Sequence, residues 1–257
     1  MSDLSGRTVI LTGASRGIGK GLAIGLGARG AHVVCAARTV REEPGGLPGT
    51  IGATVAAIEE AGGQATAVPC DIGIADDLER LVATTLDVTG RIDVLVNNAM
   101  APTRALFADA TVDEWDESMR VNVRSLFLLT KLVVDPMTRA GGGSIINVSS
   151  GGAEHASQPH LPAGYLTYAV AKAAMERFTT ALAPELAPLG INVYALRPGA
   201  VKTELATREL GEDYDWSGWG TPDAVVPAVA FLAEQIGTNP AFPSGIVDST
   251  QYGTVWP

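Results

Sequence analysis

The chain has 257 residues, of which 46% are hydrophobic and 18% charged, enough for one large α/β domain with a sizeable core. Its net charge of −10, with no Lys/Arg-rich run to offset it, argues against binding to nucleic acid. No apolar run approaches the roughly 20 residues that span a bilayer, and no signal segment opens the chain. Two cysteines are too few for a disulfide framework, so we expect a reduced, cytoplasmic protein.

Short β-branched, apolar runs alternate with longer helix-like segments along the chain. They predict strands at residues 7–12, 31–37, 65–70, 92–96, 143–149, 191–197 and 244–248. Because these runs are continuously apolar, they suit strands buried on both faces of a parallel sheet, with crossover helices between them. No linker or internal repeat divides the chain. We therefore predict one α/β domain over residues 1–257, a doubly wound parallel sheet of about seven strands with helices on both faces.

Local signals mark two helix starts and two buried side chains. Thr111 and Glu114 have the spacing of a capping box, and Thr221 before a proline is typical of an N-cap with proline at the first helical position. Cys35 and Cys70 end neighbouring predicted strands, and we expect both to be buried small apolar residues.

The stretch TGASRGIG, residues 12–19, joins the first predicted strand to the first helix. Gly13, Gly17 and Gly19 would let the backbone turn tightly and approach a pyrophosphate, which the free N–H groups and dipole of a helix N-terminus favour. Glycines also serve ordinary strand-to-helix turns. The position in the first βα unit favours the dinucleotide-binding interpretation.

The order Gly-x-x-x-Gly-x-Gly is similar to that of the short-chain dehydrogenase/reductase family. Further motifs follow in the family's order: NNA at 97–99, VN at 121–122, SS at 149–150, Tyr168-x-x-x-Lys172, and PG at 198–199 with Thr203. The resemblance spans nearly the whole chain and implies a Rossmann fold and a nicotinamide-dependent oxidoreductase. It implies cofactor contacts from the glycine turn, the strand ends and the catalytic helix: Gly13, Ser15, Arg16, Gly17, Ile18, Gly19, Arg38, Asp71, Ile72, Asn98, Ala99, Tyr168, Lys172, Pro198, Gly199, Val201 and Thr203.

The end of the second strand indicates which nicotinamide cofactor is used. An acidic residue there would bind the adenosine ribose 2′-hydroxyl, but the sequence reads Ala37-Arg38. Arg38 and Arg16 can instead bind a 2′-phosphate through charge-assisted hydrogen bonds, so we expect NADP(H). The alternative is that both are ordinary exposed arginines. The resemblance gives Asp71 a hydrogen bond to the adenine amino group, and its alternative role is to cap the next turn.

Tyr168 and Lys172 are four residues apart, so they share one face of a helix. A free phenol has a pKa near 10 and is a poor proton acceptor at neutral pH. A positive charge a few ångströms away contributes on the order of 4 kcal/mol, or about 3 pKa units at most. We therefore predict that Lys172 lowers the pKa of Tyr168 into the range of general acid–base catalysis. Tyr165 has no such lysine, and we expect it to pack or to contact substrate.

The resemblance implies roles for four catalytic residues. Tyr168 would give a proton to a ketone or take one from an alcohol, and Lys172 would also bind the nicotinamide ribose. Ser150 would hydrogen-bond the substrate oxygen. Asn122 would interrupt its helix and hold a water that links Lys172 to solvent. Each residue alone is more often structural, but their joint order favours catalysis; Ser149 should point to the opposite face from Ser150.

The sequence departs from the family pattern at two places. Met100 stands where the family often has glycine after NNA, which affects the space near the cofactor. The Gly/Pro-rich loop at 151–164 is longer than its counterpart in the family. It contains Glu154, His155 and His160, but their spacing matches no common ligand pattern, so we predict no metal site.

The segment 204–220, after the sixth strand, carries Tyr214, Trp216 and Trp219. In the family this segment covers the substrate, and aromatic side chains there would suit an apolar or bulky carbonyl compound. Equally, these aromatics could dock on the body or on a neighbouring subunit. LPGTI at 47–51 resembles the branch with hydroxysteroid dehydrogenase-like and citronellol dehydrogenase-like proteins, which favours a lipophilic substrate.

These observations lead to one main hypothesis and one alternative. The main hypothesis is an NADP(H)-dependent enzyme that interconverts an alcohol and a ketone or aldehyde. The alternative is a non-catalytic NADPH-binding regulator, against which the complete catalytic set argues. Family habit implies a homo-tetramer or homo-dimer built through the helices that carry Asn122 and Tyr168, with the tail QYGTVWP at an oligomer contact.

Overall fold

The computed structural model describes residues 3–154, 163–237, 239 and 242–257. Within these ranges the chain forms one sheet of seven strands, all parallel, in the order β3-β2-β1-β4-β5-β6-β7. The strands are β1 Thr8–Thr12, β2 His32–Ala37, β3 Gln64–Pro69, β4 Val94–Asn97, β5 Gly143–Val148, β6 Ile191–Arg197 and β7 Gly245–Asp248. All seven predicted strands are present, and the predicted doubly wound parallel fold is confirmed.

Helices cover both faces of the sheet, as predicted. They are α1 Gly17–Gly27, α2 Ile51–Glu60, α3 Ala75–Thr89, α4 Val112–Met119, α5 Ser125–Arg139, α6 Leu166–Leu186, α7 Glu204–Leu210 and α8 Val226–Glu234. One buried layer contains α1, α2 and α8, and the other contains α3, α5 and α6. Along β1, Val9 and Leu11 belong to the first layer and Ile10 to the second. The continuous apolar runs therefore reflect burial on both faces.

Helix boundaries follow the local signals in the sequence. The Thr111 hydroxyl accepts a hydrogen bond from the Glu114 N–H at 3.2 Å, and the Glu114 carboxylate accepts one from the Thr111 N–H at 2.9 Å, so the predicted capping box starts α4. Thr221 and the proline after it start a 3₁₀ turn, Pro222–Val225, that leads into α8. The Thr221 side chain makes no capping hydrogen bond. The predicted start of the helical segment is therefore confirmed for the backbone, but the predicted side-chain cap is not formed.

A π turn over Arg120–Arg124 separates α4 from α5. Asn122 lies at its centre, which confirms the predicted interruption of this helix. Such turns widen the helical backbone and free carbonyl groups from the regular i→i−4 pattern. The π turn packs against α6 and therefore places Asn122 close to the predicted catalytic helix.

The order of the strands reverses between β1 and β4. The connections after these two strands leave toward opposite faces of the sheet, which opens a crevice at their carboxyl ends. The glycine turn follows β1, and the NNA motif follows β4. Both predicted cofactor motifs therefore meet at this switch point.

Cys35 and Cys70 are buried, as predicted, and burial raises the pKa of both thiols to about 12. The C-terminal tail closes on its own chain: the Trp256 ring stacks on Phe242 at 5.5 Å, and its indole N–H donates to the Asp248 carbonyl at 2.9 Å. In the part of the chain that the structure describes, every helix is too short or too polar to cross a membrane.

The glycine turn gives a stability test with an internal control. A Cβ at Gly19 would overlap the Gly13 carbonyl oxygen, so we expect Gly19→Ala to destabilise the fold by about 1–3 kcal/mol and to weaken dinucleotide binding. Gly52 lies exposed on α2, with the Thr50 hydroxyl 3.9 Å from such a Cβ. Gly52→Ala should be neutral or stabilising by up to about 1 kcal/mol. Urea unfolding measures both, and equal stability for the two variants would contradict the packing argument.

Candidate active site

A cleft of about 670 Å³ opens at the carboxyl edge of the sheet, a size typical of small-molecule and cofactor sites. Every residue predicted to contact the cofactor lines it, from the glycine turn at one side to Pro198–Thr203 at the other. Ser150, Tyr168 and Lys172 line it as well, whereas Asn122 does not. The fold thus gathers these predicted residues from seven separate segments of the chain into one site.

The glycine turn has the geometry of a phosphate cradle. Gly13 and Gly17 have φ values of +72° and +54°, a region that side chains disfavour. Asn98, after β4, donates its side-chain N–H to the Thr12 and Gly13 carbonyls at 3.0 and 3.2 Å and fixes the turn. A Cβ at Gly19 would overlap the Gly13 carbonyl oxygen, so glycine lets the start of α1 pack this closely on the turn, where its backbone N–H groups can bind an anion. The residues present therefore fit a dinucleotide pyrophosphate.

One carboxylate already uses this anion site. Glu204, the first residue of α7, accepts a hydrogen bond from the Gly17 N–H at 2.9 Å. The residue follows Thr203 in the sequence, but nothing in its spacing indicates a contact with a glycine far along the chain. A pyrophosphate at the same N–H would have to displace this carboxylate.

The adenosine end of the cleft carries the two arginines. Arg38 is 71% exposed, and its guanidinium lies 3.9 Å from the Asp71 carboxylate. Arg16 donates to the carbonyl oxygens of Pro48 and Gly49 at 2.9 and 3.1 Å, so it also holds the loop that includes LPGTI. The other Asp71 oxygen accepts from the Gly73 N–H at 2.9 Å, which is the alternative capping role.

Ser150, Tyr168 and Lys172 meet at the opposite end of the cleft. Ser150 directly follows β5, and its hydroxyl is hydrogen-bonded to Tyr168 and accepts from the Gly152 N–H at 3.1 Å. Tyr168 and Lys172 lie in the first two turns of α6, on the same face as predicted. The Lys172 ammonium is buried, 5.8 Å from the centre of the Tyr168 ring, and donates to the Val148 carbonyl at 2.6 Å.

The predicted lowering of the Tyr168 pKa by Lys172 is wrong for this structure. Burial raises the pKa of Tyr168 above its usual value, and the hydrogen bond with Ser150 opposes the shift only in part. The Lys172 ammonium donates to the strand backbone and lies 5.8 Å from the centre of the Tyr168 ring, so its charge does not offset the effect of burial on the resting phenol. Burial also lowers the pKa of Lys172 to about 8. Tyr168 is therefore a protonated phenol at neutral pH.

Asn122 lines a small neighbouring cavity of about 10 Å³, close to the smallest volume that admits one water. Its side-chain amide donates to the Ala101 carbonyl and the Ser118 hydroxyl and accepts from the Ala101 N–H. The side chain thus fixes the segment after NNA, and we expect a water in the cavity to bind carbonyl groups that the π turn frees.

Ser149 and Ser150 bond to different residues of α6: the Ser150 hydroxyl to Tyr168 and the Ser149 hydroxyl to Glu176. The Ser149 hydroxyl donates to the buried carboxylate of Glu176 at 2.8 Å. Arg197, at the end of β6, donates two hydrogen bonds of 2.8 Å to the same carboxylate. The sequence carries one signal for Glu176: it follows Lys172 by four residues, as Lys172 follows Tyr168, so all three share a helical face.

The wall at the substrate end joins Tyr165, Met100 and α7 to Arg104, which no sequence motif marks. Arg104 lies 4.1 Å over the Tyr165 ring and forms an ion pair with Glu209 of α7 at 2.5 Å. The Tyr165 ring packs edge-on against Tyr168 at 5.9 Å, so Tyr165 both packs and faces the cleft. Met100 lines the same wall.

The aromatic rings that follow α7 pack on one another, and one of them lines the cleft. Tyr214, Trp216 and Trp219 form a cluster with ring centres 5.1–5.9 Å apart. Trp219 lines the cleft, while the other two rings buttress it.

Among the residues that the structure describes, no three His, Cys, Asp or Glu side chains are grouped to hold a metal ion. His155 and His160 lie outside the described residues. Glu154 contacts the Arg197 guanidinium at 3.4 Å.

The fold and cleft define a dinucleotide-binding α/β protein. Residues 7–214 match the family model described as short chain dehydrogenase. The chain is 35% identical over 248 residues to a 3-oxoacyl-[acyl-carrier-protein] reductase of Synechocystis sp., covering 94% of this chain and 93% of the relative. It is 39% identical over 204 residues to dehydrogenase/reductase SDR family member 4 of Sus scrofa, covering 79% and 68%.

Two solved structures are similar over 96% of each chain. One is a putative short-chain alcohol dehydrogenase from Sinorhizobium meliloti, with a TM-score of 0.83 and 28% identity. The other is a hydroxysteroid dehydrogenase from Escherichia coli, with a TM-score of 0.80 and 29% identity. The chain belongs to the short-chain dehydrogenase family of oxidoreductases, which use NAD or NADP.

The contact between Glu204 and the glycine turn generates a binding prediction. Glu204→Gln removes a negative charge that competes with pyrophosphate, so we expect dinucleotide affinity to rise roughly three- to ten-fold. Glu212→Gln, at an exposed carboxylate just beyond α7, should leave affinity unchanged. Calorimetric titration with NADPH and NADH measures both variants. Weaker binding by Glu204→Gln would mean that Glu204 supports the cofactor site instead of competing for it.

Proposed function

We propose that the protein is an NADP(H)-dependent oxidoreductase that interconverts an alcohol and a ketone or aldehyde. The observation that carries this proposal is the meeting of Ser150, Tyr168 and Lys172 at one end of the cleft that contains the glycine turn. A phenol, a hydroxyl and an ammonium ion at that position can bind and protonate a carbonyl oxygen.

The cleft offers contacts for each part of the cofactor. The glycine turn would hold the pyrophosphate, Lys172 the nicotinamide ribose, and Pro198–Thr203 the nicotinamide end. The bound cofactor supplies the hydride, which the protein's own side chains cannot. The protein's part is to orient the substrate and to manage the proton.

Tyr168 is in the protonated state that carbonyl reduction needs at neutral pH. Because burial raises its pKa, Tyr168 keeps its proton and can donate it to a carbonyl oxygen. Ser150, already hydrogen-bonded to Tyr168, would hold that oxygen in place. The phenolate left after the transfer is stabilised by the Lys172 ammonium, 5.8 Å from the ring centre. Lys172 thus acts on the product of proton transfer more than on the resting phenol.

The adenosine end supports NADP(H) over NAD(H). Arg38 is largely exposed and directly follows β2, where the sequence has no acidic residue to bind a ribose 2′-hydroxyl; the Asp71 carboxylate lies 3.9 Å from its guanidinium. Arg16 lines the same end, and its acceptors there include two neutral backbone carbonyls. Two guanidinium groups at one edge suit a ribose 2′-phosphate.

The substrate is proposed to be lipophilic. Trp219, Leu205, Leu210 and Met100 line the substrate end of the cleft. Two similar proteins are named a 3-oxoacyl-[acyl-carrier-protein] reductase and a hydroxysteroid dehydrogenase, and both acyl chains and steroids are lipophilic.

We further propose a cytoplasmic homo-oligomer, a tetramer or dimer, that forms through the helices around Asn122 and Tyr168. Trp115 on α4, Phe127 on α5 and Leu166 on α6 are 39–50% exposed, which supports a contact there. The mass in solution tests this proposal, and a monomer would contradict it.

Replacing Tyr168 tests the proposed chemistry. Tyr168→Phe removes the proton donor and keeps the ring, so carbonyl reduction should fall by about 10²–10⁴-fold or more. NADPH binding should change little, and Tyr165→Phe should keep most of the activity. The assay screens carbonyl compounds by the absorbance of reduced nicotinamide. Undiminished turnover by Tyr168→Phe would end the mechanism; a wild-type protein that binds NADPH but turns over no carbonyl compound would favour a regulator.

Replacing Arg38 tests the cofactor preference. Arg38→Gln removes a charged contact worth about 1.5–3 kcal/mol, so kcat/KM with NADPH should fall roughly 10–100-fold while that with NADH is nearly unchanged. Arg41→Gln, on the exposed loop nearby, is the matched control. If wild-type enzyme prefers NADH, or if both cofactors lose equally, the 2′-phosphate proposal is wrong.

A further inference from the structure

A buried ion pair lies directly beneath the proposed catalytic residues. The Glu176 carboxylate is 7% exposed and lies one helical turn after Lys172 on α6. Arg197 donates Nε to one of its oxygens and a terminal nitrogen to the other, each at 2.8 Å. The Ser149 hydroxyl donates to the first oxygen, also at 2.8 Å. One carboxylate therefore ties together α6, the end of β5 and the end of β6.

Each attachment point is next to a residue of the active site. Ser149 precedes Ser150, and Arg197 precedes Pro198 of the nicotinamide-side loop. Val148, which accepts the Lys172 hydrogen bond, is the residue before Ser149. A bidentate guanidinium–carboxylate pair fixes both distance and orientation. The network can thus hold the serine, the lysine and the cofactor loop in one arrangement.

Stability alone is a weak reason for such a pair. Burying two charges costs desolvation energy that their attraction often only balances, and apolar residues of similar size can do as well. The position of this pair, at the one end of the sheet where chemistry is proposed, favours a role in the site.

The pair also sets the charge around Lys172. The ammonium is 3% exposed, and its hydrogen bond goes to a neutral carbonyl. The titratable groups beside it are Tyr168 and Glu176 of α6, and Arg197 of β6 acts through its ion pair with Glu176. Glu154 acts from the turn after β5 through its contact with Arg197, and Arg120 of the π turn is paired with Glu117. Burial lowers the pKa of Lys172, and the Glu176 carboxylate opposes that shift.

We propose that Glu176 and Arg197 are positioning residues for the reaction: their ion pair holds Lys172 and Ser150 in register and balances the charge around the Lys172 ammonium. Glu176 favours the ammonium, and Arg197 moderates that effect by neutralising the carboxylate. The inference rests on the proposed function of Lys172. Glu176 and Arg197, which are not among the proposed catalytic residues, should therefore have opposite effects on the pKa of Lys172.

The consequence for catalysis has a definite sign. Carbonyl reduction leaves a phenolate on Tyr168, which an ammonium stabilises and a neutral amine does not. Because the pKa of Lys172 is about 8, the ammonium is present below that pH and lost above it. The rate of reduction should therefore decline as the pH rises through the pKa of Lys172.

Lysine NMR tests the inference without relying on activity. The chain has four lysines, Lys20, Lys131, Lys172 and Lys202, so the side-chain signals can be assigned by single substitutions. Glu176→Gln removes the favourable charge and should lower the pKa of Lys172 by about one unit or more. Arg197→Gln unmasks the carboxylate and should raise it by a similar amount. Arg197→Lys keeps the charge and should stay close to wild type, as should Glu185→Gln at an exposed carboxylate on α6.

The pH profile of kcat for carbonyl reduction should follow these shifts. Its alkaline limb should move to lower pH in Glu176→Gln and to higher pH in Arg197→Gln. Shifts in the same direction, or none, would overturn the inference, because a purely structural pair gives no opposite signs. Circular dichroism identifies a variant that does not fold. If Arg197→Gln does not fold, an unchanged pKa of Lys172 in Glu176→Gln is sufficient to overturn the inference. Opposite NMR shifts in a protein without turnover would instead contradict the proposed function alone.

Discussion

Burial of the Lys172 ammonium at the carboxyl edge of the sheet is the interaction on which the site depends. The Lys172 ammonium is shielded from solvent and donates a hydrogen bond to the Val148 carbonyl at the end of β5. The Glu176 carboxylate lies one helical turn further along α6. Lys172 can reach the Val148 carbonyl only because α6 packs against the carboxyl end of β5. The parallel sheet therefore places the positive charge of Lys172 at the edge where the cofactor motifs meet.

The sequence predicts the fold well because burial leaves a direct mark on it. Strands buried on both faces must be continuously apolar, so all seven appeared as runs, and the capping box of α4 is encoded by Thr111 and Glu114 alone. The residues of the cleft could also be predicted, because parallel strands bring their carboxyl ends to one edge and the motifs follow those ends. Even the break at Asn122 followed from a motif at a known place in the family.

Other features of the site depend on the direction of side chains, which spacing does not give. The spacing of Tyr168 and Lys172 correctly predicts a shared helical face, but it does not show that the ammonium turns toward Val148, and burial therefore reverses the expected shift in the pKa of Tyr168. Contacts such as Arg104 with Glu209, or Glu204 with Gly17, join segments far apart in sequence. No local pattern encodes such pairs, so they become visible only when the fold is known.

The central claim is that Tyr168, Ser150 and Lys172 act together on a carbonyl oxygen next to a bound nicotinamide. A crystal structure of the protein with NADPH and an unreactive amide analogue of a carbonyl substrate tests this most directly. The account predicts the analogue's oxygen within hydrogen-bonding distance of the Tyr168 and Ser150 hydroxyls, and the nicotinamide ribose on the Lys172 ammonium. A complex in which the nicotinamide ring lies away from Tyr168, with the analogue bound elsewhere, would contradict it.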